Sequence, residues 1–414
     1  MLAGLLLIAA CSTSTPAPVS SARSDWPMYR GDLSRDGNPS GVALTTEQAS
    51  HLKPAWTAAL DGAVDGTPVV AGNTVIAGSE KEIAAIDLAS GRVMWSNRGL
   101  GVFSGSPAVS GNVVVAATLS GHVYAFDLAS GRRLWDWKAG GIVPAFWASP
   151  AIYGKLVLIG VASQYGDQPL EPGAITALDL TSGARQWRFC IEADCAPGGG
   201  IWSSAAVDPA GRAFVGSGNP SDGVLSFDAS TGKKLWVAQL HQDAGQDIDV
   251  GATPIVAFVG NREVVAVGSD GGLFDMFDAV SGNLIWARFL VAGSAVHGLI
   301  ASPAYDGTSF FVPSASTPTG VFALDPATGS IQWEQVSNLP VYSAPALGRR
   351  VLIYGTGDAL GDPSHGSLVA VSTTDGSVVW TYDMHQSVLS APAISGTTVI
   401  VGDTHGSVRA FSPG

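Results

Sequence analysis

The sequence predicts an all-β fold, an eight-bladed β-propeller of four-stranded antiparallel blades. Three observations carry this. One residue pattern, Ala-x-Asp-x-x-(Ser/Thr)-Gly-x-x-x-Trp, recurs along the chain, most clearly from Ala125 through Asp127, Ser130 and Gly131 to Trp135. The two ends of the chain hold complementary fragments of the repeat. The composition, with 52 glycines in 414 residues and short Val/Ile/Leu/Ala runs, suits many short strands joined by tight turns.

Further copies stand at Asp87–Gly91–Trp95, Asp179–Gly183–Trp187, Asp228–Gly232–Trp236, Asp278–Gly282–Trp286 and Asp325–Gly329–Trp333. In the copy ending at Trp380, Ser372 replaces the aspartate. A repeat of this period marks a propeller, a solenoid or an array. Leu52 to Trp56 supplies a Trp with no Asp and Gly before it, while Gly406 to Ser412 stops short of its Trp. A ring closes in this way, with the N-terminal strand completing the last blade and leaving no open edge. A solenoid would show capping repeats instead. The register tryptophans are Trp56, Trp95, Trp135, Trp187, Trp236, Trp286, Trp333 and Trp380, one for each of eight blades.

Within a blade, a Ser/Thr-Pro or Ala-Pro pair such as Ser106-Pro107 opens the innermost strand, where the missing N–H of Pro is tolerated. A second apolar strand follows, then the strand that ends at the repeated Asp. The Asp accepts from turn amides, the Gly takes a positive φ, and the outermost strand carries the Trp. That Trp covers the gap to a neighbouring blade and offers its N–H to a backbone carbonyl. Eight equivalent uses make these residues architectural, so function is sought where the blades differ.

Before the first blade, residues 1–11 (MLAGLLLIAAC) read as a lipoprotein signal segment, with Ile8-Ala9-Ala10-Cys11 resembling a lipobox. The apolar run is too short to span a bilayer. The alternative is a cytosolic protein with an apolar N-terminus. Residues 12–24, rich in Ser, Thr, Pro and Ala, read as a flexible tether, and 25–414 as a single propeller domain. Residues 25–41 form an ordered lead-in that packs on the body, with Trp26 and Tyr29 as anchors. The expected location is extracytoplasmic, in the periplasm or at the cell surface, with the membrane reached only through a lipid on Cys11. A net charge of −13 and no basic cluster argue against a nucleic-acid partner.

Successive register tryptophans lie 39 and 40 residues apart at first, then 52, 49, 50, 47 and 47. The added length falls mostly within blades 3 to 7. Residues just before each innermost strand gather around one mouth of the central channel, which collects Phe103, Trp147, Trp202, Asp247, Asp249, His297 and Tyr342. Two tryptophans out of register with two acids make this the default ligand site; the alternative is a set of aromatics that plugs the channel. His122, His365 and His405 read as turn residues. No zinc spacing, haem-attachment motif, nucleophile elbow or phosphate loop occurs. Cys190 and Cys195 suit a small disulfide loop in an oxidising compartment, two free thiols being the alternative.

The repeat resembles the tryptophan-docking repeat of pyrroloquinoline quinone (PQQ) propellers over nearly the whole chain after Trp56. That family holds quinoprotein alcohol dehydrogenases, polyvinyl-alcohol-dehydrogenase-like members among them, and cofactor-free relatives such as the outer-membrane assembly lipoprotein. Three stretches outside the repeat are more discriminating. Gly198 to Ser204 is similar to the dehydrogenase segment whose Trp forms the floor under PQQ, a role that falls to Trp202. Gly216-Ser217-Gly218-Asn219-Pro220 resembles the motif whose Asn binds the catalytic calcium, which takes hard oxygen ligands; that residue is Asn219. Gln246-Asp247-Ile248-Asp249 resembles the stretch of the catalytic aspartate. Asp247 is then the base and a calcium neighbour, and Asp249 the base if the alignment shifts by two.

The resemblance implies an enzyme in which calcium polarises PQQ as a Lewis acid, Asp247 takes the alcohol proton, and an external acceptor re-oxidises the cofactor. Its substrate would be a small alcohol or a polymer. Two positions depart from the family. Gln164 stands where a calcium-binding Glu is usual, and Ser269 where a PQQ-contacting Lys is usual. The adjacent Cys-Cys pair and a haem domain are absent. These departures favour a second reading, a cofactor-free scaffold that binds an envelope protein.

Overall fold

In the computed structural model, residues 25–164, 169–240 and 247–414 are described. The expected signal segment, the tether and Cys11 lie outside these residues, as does Gln246 of the stretch that carries Asp247 and Asp249. The described chain forms eight four-stranded antiparallel sheets arranged as a propeller ring. In blade 2, for example, Ala108–Ser110, Val113–Ala117, His122–Asp127 and Arg133–Lys138 follow one another from the channel outward. Blade 8 breaks the order. Its outermost strand is Leu52–Ala59, paired antiparallel with Ser407–Pro413 so that Trp56 faces Ala410. The ring therefore closes as the complementary ends predict.

The repeat performs the expected local work. Asp127 Oδ1 accepts from the amide and the hydroxyl of Ser130 at 2.9 and 2.6 Å, and Gly131 turns the chain at φ +69°. This glycine has a second duty. A Cβ on Gly131 would sit 2.6 Å from the ring of Trp95, the tryptophan of the preceding blade. Trp95 Nε1 donates to Leu128 O at 2.9 Å just before that turn. Trp56 and Gly91, Trp135 and Gly183, and Trp236 and Gly282 dock in the same way. Each of these indoles thus locks one blade to the next by packing and by one hydrogen bond. Trp187 is the exception: its ring lies over Gly232, yet its buried N–H has no acceptor, and we have no physical account of that.

Apolar clusters fill the spaces between blades. One unites Ile255, Ala266, Phe274, Met276 and Leu299 with Tyr305, Phe310 and Phe322 across blades 5 and 6. Phe103, expected at the channel mouth, belongs instead to the cluster between blades 1 and 2 and is buried. The apolar ring is held by the inter-blade core, and it leaves the mouth to more polar neighbours. His122 is likewise no turn residue. It opens the third strand of blade 2, stacks on Tyr124 and lies 2.8 Å from Asp136.

Two features tie the innermost strands together. The Ser or Thr that precedes the innermost strand in each of blades 1 to 6 forms a belt along the channel. Thr67 N donates to Ser106 Oγ at 2.8 Å, Ser106 N to Ser149 Oγ at 2.9 Å, Ser149 N to Ser204 Oγ at 2.9 Å, Ser204 N to Thr253 Oγ1 at 2.9 Å and Thr253 N to Ser302 Oγ at 3.0 Å. On the far side of this belt the lead-in runs across the ring. Its backbone carbonyls at Pro27, Leu33, Ser34, Asp36 and Gly37 accept from Val109, Val207, Val256, Tyr305 and Leu347. Trp26 is buried, as expected. So are Arg30 and Arg35, whose guanidinium groups reach the carbonyls of Pro303, Pro345 and Ala205 at the start of innermost strands. Burial lowers both arginines to about 10.

Candidate functional site

The other mouth of the channel is built by a second repeated contact. In each blade, the residue at or just past the end of the second strand accepts from the segment that leads to the next innermost strand. Val161 O accepts from Ile201 N at 3.0 Å, Ser217 O from Val250 N at 3.2 Å and Ser269 O from Leu299 N at 3.1 Å. This register fixes which residues share a level. Trp147, Trp202, Gly251 and Tyr342 are equivalent around the mouth, and so are Ala162, Gly218 and Asp270 on the turns of blades 3, 4 and 5.

Trp202 sits where blade 4 meets blade 5. Its indole covers Gly251, where any Cβ would enter the ring, so the glycine is required for the tryptophan to lie there. Trp202 Nε1 donates to Asp249 Oδ2 at 2.7 Å. Asp249 Oδ1 accepts from the amide of Asn219 at 3.2 Å. Gly218 makes room for that carboxylate, since a Cβ there would collide with it. Asn219 Nδ2 donates to Asp247 Oδ1 at 2.7 Å. Four of the six site residues expected from sequence therefore form one hydrogen-bonded chain, Trp202–Asp249–Asn219–Asp247. Asp247 is exposed and holds a left-handed backbone at φ +52°, a conformation that costs free energy in a residue other than glycine.

Sequence reasoning missed Asp270. It is 1% exposed, and neither carboxyl oxygen has a hydrogen-bond partner. Burial first, and then the charges of Asp249 and Asp247, push its pKa well above the usual carboxylate range. Its amide donates to Asp249 O at 3.0 Å. A buried aspartate on a turn level with Gly218 becomes visible only once the blades are aligned by their hydrogen bonds.

The structure does not gather every expected residue. Gln164 is exposed and turns toward blade 2, where its Nε2 donates to Leu119 O at 3.3 Å. Ser269 is buried and closes its own hairpin, with its amide 2.9 Å and its hydroxyl 3.4 Å from Leu273 O. Thr118 and Ser217 close theirs in the same way. Trp147 Nε1 donates to Ser163 O at 2.9 Å, and His297 stands beside Tyr342 with ring centres 6.3 Å apart. Cys190 and Cys195 form a disulfide at the base of the loop that leads to Trp202.

The donor set suits a hard cation. Asn219 Oδ1 is a buried acceptor with no partner, as are both oxygens of Asp270. Neither Asp247 nor Asp270 forms an ion pair with a basic side chain among the described residues. Amide and carboxylate oxygens are calcium ligands. No three His, Cys, Asp or Glu side chains among the described residues converge as a metal cage.

The chain belongs to the family described as outer membrane protein assembly factor BamB, which it matches over residues 43–165, 171–346 and 340–414. It is 26% identical over 265 residues to a polyvinylalcohol dehydrogenase of Pseudomonas sp, across 51% of this chain and 41% of that protein. The chain thus spans less than half the length of that relative. It is 26% identical over 377 residues to the BamB of Burkholderia pseudomallei, across 87% of this chain and 88% of the relative. The fold is that of the quinohemoprotein alcohol dehydrogenase from Comamonas testosteroni, with a TM-score of 0.81 at 18% identity over 96% of this chain and 82% of that one.

Proposed function

We propose that this propeller is an extracytoplasmic quinoprotein dehydrogenase, which oxidises an alcohol with PQQ and calcium and passes electrons to an external acceptor. The observation that supports it is the chain of hydrogen bonds from Trp202 through Asp249 and Asn219 to Asp247. A propeller that served only as a scaffold has no need of a fixed indole beside an orphaned amide oxygen.

When bound, PQQ supplies a two-electron acceptor and calcium the Lewis acid that activates it. The protein does the rest. Trp202, held at its Nε1 by Asp249, offers a fixed aromatic face for stacking a planar ring system. Asn219 Oδ1 and the carboxylates around it hold the cation. Asp247 Oδ1 is engaged by Asn219, which leaves Oδ2 to take the hydroxyl proton of the substrate. Asp249 has both oxygens occupied by Trp202 and Asn219, so it acts as a positioning residue and Asp247 is the better base.

The compartment belongs to the same reading. A lipid on Cys11 and the tether would hold the propeller at the envelope, in the periplasm or at the cell surface. The Cys190–Cys195 disulfide supports an oxidising environment. Among the described residues, no helix is long and apolar enough to cross a membrane.

One observation favours a second reading, a cofactor-free propeller that binds an envelope protein. The mouth is acidic, and neither Gln164 nor Ser269 offers the charge a PQQ site uses, so an anionic quinone depends wholly on the metal for attraction. Dye-linked oxidation of primary alcohols by protein reconstituted with PQQ and calcium separates the two. Turnover that needs both additions supports the enzyme; none with any alcohol or polymer tested supports the scaffold.

A further inference from the structure

We propose that Asp270 supplies the cation-binding carboxylate that this chain lacks at Gln164, so that the cation is held between blades 4 and 5. The inference rests on the reading of this mouth as a cation site and assigns a residue that the resemblance does not. The usual acidic position lies on the turn of blade 3. Here its occupant is a neutral amide that points away, toward Leu119 on blade 2. The turn of blade 5 flanks Asn219 from the other side, and it carries an aspartate that the mouth's own hydrogen-bond register places level with Gly218.

Two independent observations point to a ligand there. Both oxygens of Asp270 are buried without any donor, although a buried carboxylate without hydrogen bonds or a counter-charge is costly. Asn219 Oδ1, on the neighbouring turn of blade 4, is a second buried acceptor without a donor. No basic side chain forms an ion pair with Asp247 or Asp270 among the described residues, so nothing in the protein balances the pair. A divalent cation coordinated by Asn219 Oδ1, Asp270 and Asp247 would meet all of these needs at once. Other blades show that the acid is not needed for folding: Ala162 and Gly218 occupy the same level in blades 3 and 4. Without a ligand role, alanine or glycine would serve in blade 5 as well.

The test is a calorimetric titration of calcium into the full chain, without PQQ, for the wild type, Asp270→Asn and Gln164→Ala. Terbium luminescence sensitised by tryptophan gives a second readout on the same proteins. The expected result is calcium binding by the wild type, roughly 10-fold or more weaker in Asp270→Asn and unchanged in Gln164→Ala. Should Asp270→Asn fail to fold, Asp270→Ala takes its place, since alanine occupies that level in blade 3. Equal affinity in wild type and variant would overturn the assignment of Asp270 and leave the cation site standing. No binding by the wild type up to about 10 mM, above the millimolar range of weak extracellular calcium modules, would overturn both.

Discussion

Trp202 and Asp249 are joined across the boundary of blades 4 and 5 by a 2.7 Å hydrogen bond from the indole Nε1 to the carboxylate Oδ2. The same carboxylate accepts from the backbone N–H of Asn219, so one side chain fixes both the indole and the backbone of the residue whose Oδ1 would face the metal. The register tryptophans Trp56, Trp95, Trp135, Trp236, Trp286 and Trp333 each donate to a main-chain carbonyl. Trp202 meets a carboxylate.

Replacing that carboxylate by Asp249→Ala leaves the indole and the Asn219 amide without their acceptor. The expected cost is about 1–3 kcal/mol of stability. With fluorotryptophan labelling, the 19F resonance absent from Trp202→Phe should shift and broaden in Asp249→Ala. An unchanged resonance would remove Asp249 from its positioning role.

The docking of Trp95 on Gly131 predicts a contrast between two glycines. Gly131→Ala meets the ring at 2.6 Å and must also hold φ +69°, so it should cost about 2–4 kcal/mol. Gly111→Ala takes a similar φ of +56° in open space and should cost about 1 kcal/mol. Denaturant midpoints of the two variants measure the difference, and equal midpoints would show that docking adds nothing to the turn.

Arg35 predicts the worth of the lead-in. Its Nε donates to Ala205 O at 2.9 Å and its Nη1 to Tyr29 O, on a side chain with no exposure. Arg35→Met keeps much of the volume and removes both donors, leaving two carbonyls without them. The expected loss is about 2–4 kcal/mol in equilibrium unfolding. A loss under about 0.5 kcal/mol, the scale of ordinary surface substitutions, would mean that the channel does not depend on it.

Buried acids set the response to pH. Burial raises Asp275 to about 7 and Asp36 and Asp65 to about 6 in the folded protein. Their protonated forms are favoured by folding. The stability they contribute is complete below about pH 4, where the unfolded chain titrates, and is lost as pH rises through 6 and 7. The repeat aspartates act oppositely: hydrogen bonds from turn residues hold Asp278 at about 2, so its contribution is lost on acidification below about pH 4. Thermal unfolding should therefore show greater stability at pH 5 than at pH 8, and Asp275→Asn should reduce that difference. A pH response identical to that of the wild type would show that Asp275 is not its source.

The ring was legible because its signals are local and repeated. Eight tryptophans, the turn glycines and the complementary ends each report on neighbours within one blade or the next. Arg30 and Arg35 carried no such signal, because their acceptors beyond the lead-in lie on blades 4, 6 and 7, reached only after the ring has closed. The Ser/Thr-Pro pairs were visible, but for the proline; the hydroxyl belt depends on spacing between sheets. In the site, Trp202, Asn219 and Asp247 stood out by motif. Asp270 did not, since its importance lies in missing partners, which no sequence displays. Gln164 and Ser269 were assigned by position along the chain, and backbone geometry turns one toward blade 2 and the other into its own hairpin.

The central claim is that this mouth binds PQQ on Trp202 with a metal beside Asn219. Equilibrium titration of PQQ, followed by tryptophan quenching with and without calcium, tests it most directly. The account predicts saturable binding that strengthens when calcium is present and weakens roughly 10-fold or more in Trp202→Ala. Absence of PQQ binding in either condition, by a protein that unfolds cooperatively, would contradict it and leave the scaffold reading.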